Sequence, residues 1–103
     1  MMNCKRVSIL IFSVDRGITQ VRDGDLRKAR EALMELSNVL NAPAIAVLAD
    51  NIDYLNDERK MIEWLKTWQA IKRALQAICA PDTLLIPRND LLRLIEELAR
   101  KAQ

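Results

Sequence analysis

The segment from Asp57 to Cys79 constrains the fold more than any other. Trp64, Trp68, Ile71, Leu75 and Ile78 recur there at steps of 4, 3, 4 and 3 residues, while Lys66, Gln69, Arg73 and Gln76 fall on the other side. Apolar residues at this spacing form one stripe of an α-helix. Asn56 or Asp57 offers a side-chain acceptor at its N-terminus, and Ala80-Pro81-Asp82 ends it. At ~1.5 Å per residue the helix is ~33 Å long, against ~20 Å for a typical strand. Met61, Ile62, Leu65, Ala70, Ala74 and Ala77 widen its apolar sector beyond what one sheet contact covers. Two tryptophans on one helical face ordinarily pack in a core. The surplus apolar surface points further, to a homodimer through this helix with Trp64 and Trp68 at the dimer interface.

The rest of the chain reads as strands alternating with helices. Val7 to Val14 (VSILIFSV) is rich in β-branched residues and is followed by the turn Asp15-Arg16-Gly17, the pattern of a buried strand. Ile18 to Val21 is a candidate returning strand of a hairpin. A helix is expected from Asp25 to Asn41, with Leu26, Ala29, Leu33, Leu36 and Leu40 on its inner stripe. Asn41-Ala42-Pro43 closes it, and Ala44 to Ala49 (AIAVLA), free of charge, reads as a central strand. Thr83 to Ile86 is a third strand, and Asn89 caps a last helix with Leu91, Leu94, Ile95 and Leu98 inward. This order predicts one α/β domain over residues 1–103. Its small, mostly parallel sheet has three or four strands with helices on both faces, in the order β-(β)-α-β-α-β-α.

Composition removes several chemistries. With no histidine among 103 residues, Ser-His-Asp and Cys-His nucleophile pairs are impossible. Two cysteines cannot build a Cys-rich zinc site, and two glycines, Gly17 and Gly24, cannot form a P-loop or a G-x-G-x-x-G cradle. Cys4 and Cys79 are read as small thiols, Cys79 buried, with a disulfide as the lesser expectation. No segment approaches the ~20 apolar residues of a membrane span and no signal-peptide form is present, so a cytoplasmic protein is expected.

Two constellations carry functional expectations. Ligands of open parallel sheets gather at the carboxyl ends of strands, where Asp15, Asp50 and Asp53 would lie. Sharing a magnesium ion there, they would suit phosphoryl transfer. Aspartates in such loops also serve simply as caps and turns. Arg22, Arg27, Lys28 and Arg30 form a basic cluster able to meet nucleic-acid phosphates, and Lys66, Lys72 and Arg73 form a second. Glu31 and Glu63 dilute both, as in a solvated helix face with local ion pairs.

Residues 22–50, RDGDLRKAREALMELSNVLNAPAIAVLAD, and the end DTLLIPRNDLLRLIEELARKAQ together resemble the XPF-type branch of the restriction-endonuclease-like nucleases. In that family a D-G-R-L segment opens a helix leading through proline into an apolar strand. Its final helix often closes on an Ala-Arg-x-x-Gln signature, matched here by Ala99, Arg100 and Gln103. Such nucleases need an E-x-K or E-R-K motif on adjacent strands, whereas Ser13-Val14-Asp15 stands in its place here. The resemblance therefore implies a shortened, noncatalytic nuclease-like domain that binds DNA or a protein partner and dimerises, with no cofactor. The alternatives are a magnesium-dependent enzyme using the three aspartates, and a regulatory interaction domain that never meets nucleic acid.

Overall fold

The computed structural model of the chain describes residues 3–19, 26–80 and 88–101. These residues form helices α1 (Cys4–Thr19), α2 (Leu26–Leu40), α3 (Pro43–Asp50), α4 (Glu58–Ile78) and α5 (Arg88–Lys101), with a 3₁₀ helix over Ile52–Asn56. No strand occurs among them. The expected α/β sheet is thus overturned, and the nuclease-like fold with it: the protein is a helical bundle.

The two longest amphipathic patterns lie where their spacing predicts. In α4, Trp64, Trp68, Ile71, Leu75 and Ile78 are all buried, and the Asp57 carboxylate accepts from the Arg59 N–H at 2.9 Å. In α2, Ala29, Leu33, Leu36 and Leu40 face the core.

The expected strands fail for identifiable reasons. In α1 the buried large apolar residues are Val7, Leu10, Ile11 and Val14, a 3-1-3 spacing that is helical, while Ile9 and Phe12 point outward. A strand would have set alternate residues on opposite faces. Asn3 starts α1 by accepting from the Arg6 N–H at 3.1 Å. The helix runs on through Asp15-Arg16-Gly17, so Ile18 and Thr19 belong to it rather than to a hairpin.

Ala44 to Ala49 likewise lies in α3. Pro43 takes the first-turn position, where its fixed φ suits helix and its missing N–H costs nothing, so it opens a helix as well as following one. Asn41, at φ 52°, makes the left-handed turn out of α2, and buried Ser37 steadies that turn by donating to the Ala42 carbonyl at 2.9 Å. In α5, Leu91, Ile95 and Ala99 are buried and Leu94 is exposed, a rotation away from the expected face. Asn89 lies inside α5 rather than capping it. The expected strand at 83–86 falls outside the described residues.

Successive packing of α1 on α2, α2 on α3, α3 on α5 and α5 on α4 leaves one seam to close, between α4 and α1. Packing there is sparse, and specific bonds reinforce it. Cys4 and Cys79 form a disulfide with their Cα atoms 5.6 Å apart, joining the start of α1 to the end of α4. This corrects the expectation of two thiols. Cys4 is held against α4, and Cys79, the C-cap residue of α4, is half-buried rather than in the core. At the other end of the chain, the Glu96 carboxylate on α5 accepts from the Ala44 N–H at 3.3 Å, satisfying a donor in the first turn of α3. No helix among the described residues is long and apolar enough to cross a membrane.

Candidate interaction surface on the first helix pair

Asp15, a cation ligand only under the magnesium-enzyme alternative, serves the α1–α4 seam. It accepts from the Trp68 indole N–H at 2.8 Å and from the Lys72 ammonium at 3.0 Å. A buried indole N–H needs an acceptor, and a charged one bonds more strongly than a neutral one. Asp50 ends α3 and Asp53 lies in the 3₁₀ helix, both exposed. Among the described residues no group of three or more Cys, His, Asp or Glu side chains could hold a metal ion.

The basic cluster is divided in the same way. Arg27 faces Glu31 one turn on at 4.0 Å, and Arg30 donates from Nε to the Ala49 carbonyl at 3.4 Å. Lys28 lines a groove described below, and Arg22 lies outside the described residues.

The two tryptophans are interior. Trp64 is 1% exposed and donates from Nε1 to the Leu48 carbonyl at 3.0 Å, and Trp68 is 0% exposed. Their rings are packed within one chain and are not open to a second copy. On the outer side of α4, Ile62 is the large exposed apolar residue among those described.

The surface that stands out lies on the face of α1 that carries Phe12 and Ile9, two residues to which the sequence assigned no role. Phe12 is 65% exposed and Ile9, one turn earlier, is 47% exposed. The chain's other aromatics are engaged, the tryptophans as above and Tyr54 beneath the Lys60 ammonium, 4.8 Å from its ring centroid. Beside Ile9 runs a groove of about 450 Å³ between α1 and α2. Its lining includes the small residues Ser13, Gly17 and Ala32, with Arg6, Arg16, Lys28, Glu31 and Glu35 around them.

Glycine at position 17 brings the helices close. A Cβ there would lie 2.9 Å from the Ala29 Cβ and 3.0 Å from its backbone nitrogen. Across the groove Arg6 is ion-paired and hydrogen-bonded to Glu35. Asp15, the one acid of α1, is turned to α4, so the charges α1 offers outward are Lys5, Arg6 and Arg16. Lys5 and Arg16 carry no ion pair among the described residues.

The residues that distinguish this surface share one signal in the sequence. Ile9 and Phe12 are the apolar residues that fall off the Val7-Leu10-Ile11-Val14 stripe once the segment is read with helical period. No protein-family model, curated protein or solved structure matches this chain.

Proposed function

We propose that the chain is a noncatalytic interaction module that binds a protein partner through the exposed face of α1 and the groove beside it. The observation that carries this reading is the exposure of Phe12 and Ile9 one turn apart, in a chain whose remaining aromatics are all engaged. Adjacent exposed apolar side chains rimmed by charge are what an interface core and its rim look like before a partner arrives.

A nucleic-acid role has less support, because Arg27 lies beside Glu31 and a phosphate backbone offers Phe12 and Ile9 no apolar surface. A homodimer through α4 would have to rely on Ile62, since Trp64 and Trp68 are already packed. The Cys4–Cys79 bridge supports an oxidising compartment over the cytoplasm that the sequence suggests.

The test is photo-crosslinking in the source cells with p-benzoylphenylalanine in place of Phe12, and in place of exposed Gln76 on α4 as a control. The expected result is a discrete protein adduct at the first site only, abolished by Ile9→Asp. Equal labelling at both sites would refute the reading. So would an affinity for duplex DNA that falls steeply with salt, coupled to loss of binding when Lys5 and Arg16 are neutralised.

A further inference from the structure

We propose that the partner presents an acidic amphipathic helix, which docks along α1 with its apolar stripe on Ile9 and Phe12 and its carboxylates on Lys5 and Arg16. This rests on the interaction-module reading and adds the chemistry of the partner. Charge is the first argument. The outward face of α1 carries only cations, because Asp15 is consumed by Trp68 and Lys72 on the far flank. Lys5 and Arg16 stand ~16 Å apart along the axis, bracketing the two apolar side chains. A partner segment of three turns with acids at its ends and apolar residues between them matches that order, in the manner of helix-in-groove recognition.

The same facts weigh against the other occupants. A second copy presenting its own α1 would set cations against cations, which costs affinity instead of adding it. A nucleic-acid backbone has no apolar stripe to set on Ile9 and would leave Phe12 facing water. A lipid surface, flat on this scale, would leave unfilled the groove lined by Ser13 and Gly17, whereas side chains of a helix can enter it.

The experiment uses the oxidised chain, labelled with ¹⁵N. One probe is a synthetic peptide of ~14 residues, the usual length of a protein helix, with leucines on one helical stripe and glutamates elsewhere. A second is the same peptide with lysine replacing every glutamate. The glutamate peptide is expected to shift amides of α1 and of the facing turns of α2, and the lysine peptide to shift none. Phe12→Asp and Arg16→Glu should each weaken binding by ~10-fold or more, and added salt should weaken it further. Unchanged spectra of α3 to α5 verify folding of these variants, and Ile9→Asp substitutes for one that fails.

Equal binding of the two peptides would overturn the proposal, as would undiminished binding by both variants. It also falls if the glutamate peptide leaves α1 unchanged while a short DNA duplex, phosphatidylglycerol vesicles or self-association at higher protein concentration shifts it. Should the crosslink from residue 12 persist while the glutamate peptide fails, the partner's chemistry is wrong and the interaction reading stands. Should the crosslink fail as well, both fall.

Discussion

Removing the Cys4–Cys79 bridge by Cys4→Ser with Cys79→Ser tests how the bundle is closed. The two cysteines are 75 residues apart in sequence, so the bridge restricts most of the unfolded chain. The loop-closure relation gives about 4.5 kcal/mol for a loop of roughly that size at 25 °C, within the 2–5 kcal/mol usual for native disulfides of small domains. A domain of this length has a total stability of about 5–15 kcal/mol and an unfolding entropy near 0.2 kcal/mol/K. The predicted loss is therefore a large fraction of the whole, and the melting temperature should fall by roughly 20 °C.

Calorimetry or circular dichroism of the oxidised parent, the parent under reductant and the double-serine variant measures this. Both reduced forms should melt together and well below the parent. Urea titrations should give the oxidised chain a smaller slope, because a cross-linked unfolded chain exposes less surface. The helical signal of the folded variant should be intact, since α1 keeps its broad packing on α2. Two titratable thiols in the parent purified without reductant would refute the reasoning, as would a variant melting within about 3 °C of it.

Three further outcomes follow from the same geometry. Gly17→Ala should destabilise by about 1 kcal/mol in urea unfolding. The new Cβ meets Ala29 at 2.9 Å and forces α1 from α2, which outweighs the ~1 kcal/mol gain in helix propensity; a stabilised variant would contradict the close approach. Asp15→Ala should cost about 1–3 kcal/mol by leaving the buried Trp68 N–H and the Lys72 ammonium without their acceptor, and a cycle with Lys72→Met should show coupling; additive losses would deny the shared carboxylate. Phe12→Asp should change stability by no more than about 0.5 kcal/mol, and a loss of several times that would mean that Phe12 is packed rather than displayed.

The sequence was most informative where a long segment keeps one period and carries its own cap. Asp57 with the Trp64-to-Ile78 stripe, and Leu26 to Leu40, meet both conditions and fold as their spacing implies. Val7 to Val14 misleads because β-branched residues are dense on it and the apolar residues do not confine themselves to one face. Val7 and Leu10 separate from Ile9 and Phe12 only once helical period is imposed on the segment, which its composition does not suggest. Ala44 to Ala49 is too short for period to decide, and Pro43 signals an ending and a beginning equally well. The metal reading of Asp15 depended on a strand end, so it lost its premise with the strand. The Cys4–Cys79 pairing has no local signal at all, since nothing near either cysteine specifies a partner 75 residues away.

The exposure of Phe12 is best understood together with the seam on the other side of its helix. Burying a phenylalanine side chain is favourable by about 2–3 kcal/mol, but rolling α1 until Phe12 met the core would carry Val7, Leu10, Ile11 and Val14 out of it and cost several times as much. Three further fixtures oppose that roll. Cys4 is bonded to α4, Asp15 receives Trp68 and Lys72 from α4, and Gly17 permits contact with Ala29 at only one orientation of the α1 surface. Two of these fixtures face α4 and the third faces α2, so rotation in either direction breaks at least one. The residues that close the thinnest seam of the bundle thus also set which side chains α1 presents. Asp15, a metal ligand only in the alternative sequence reading, helps to orient a surface one turn away.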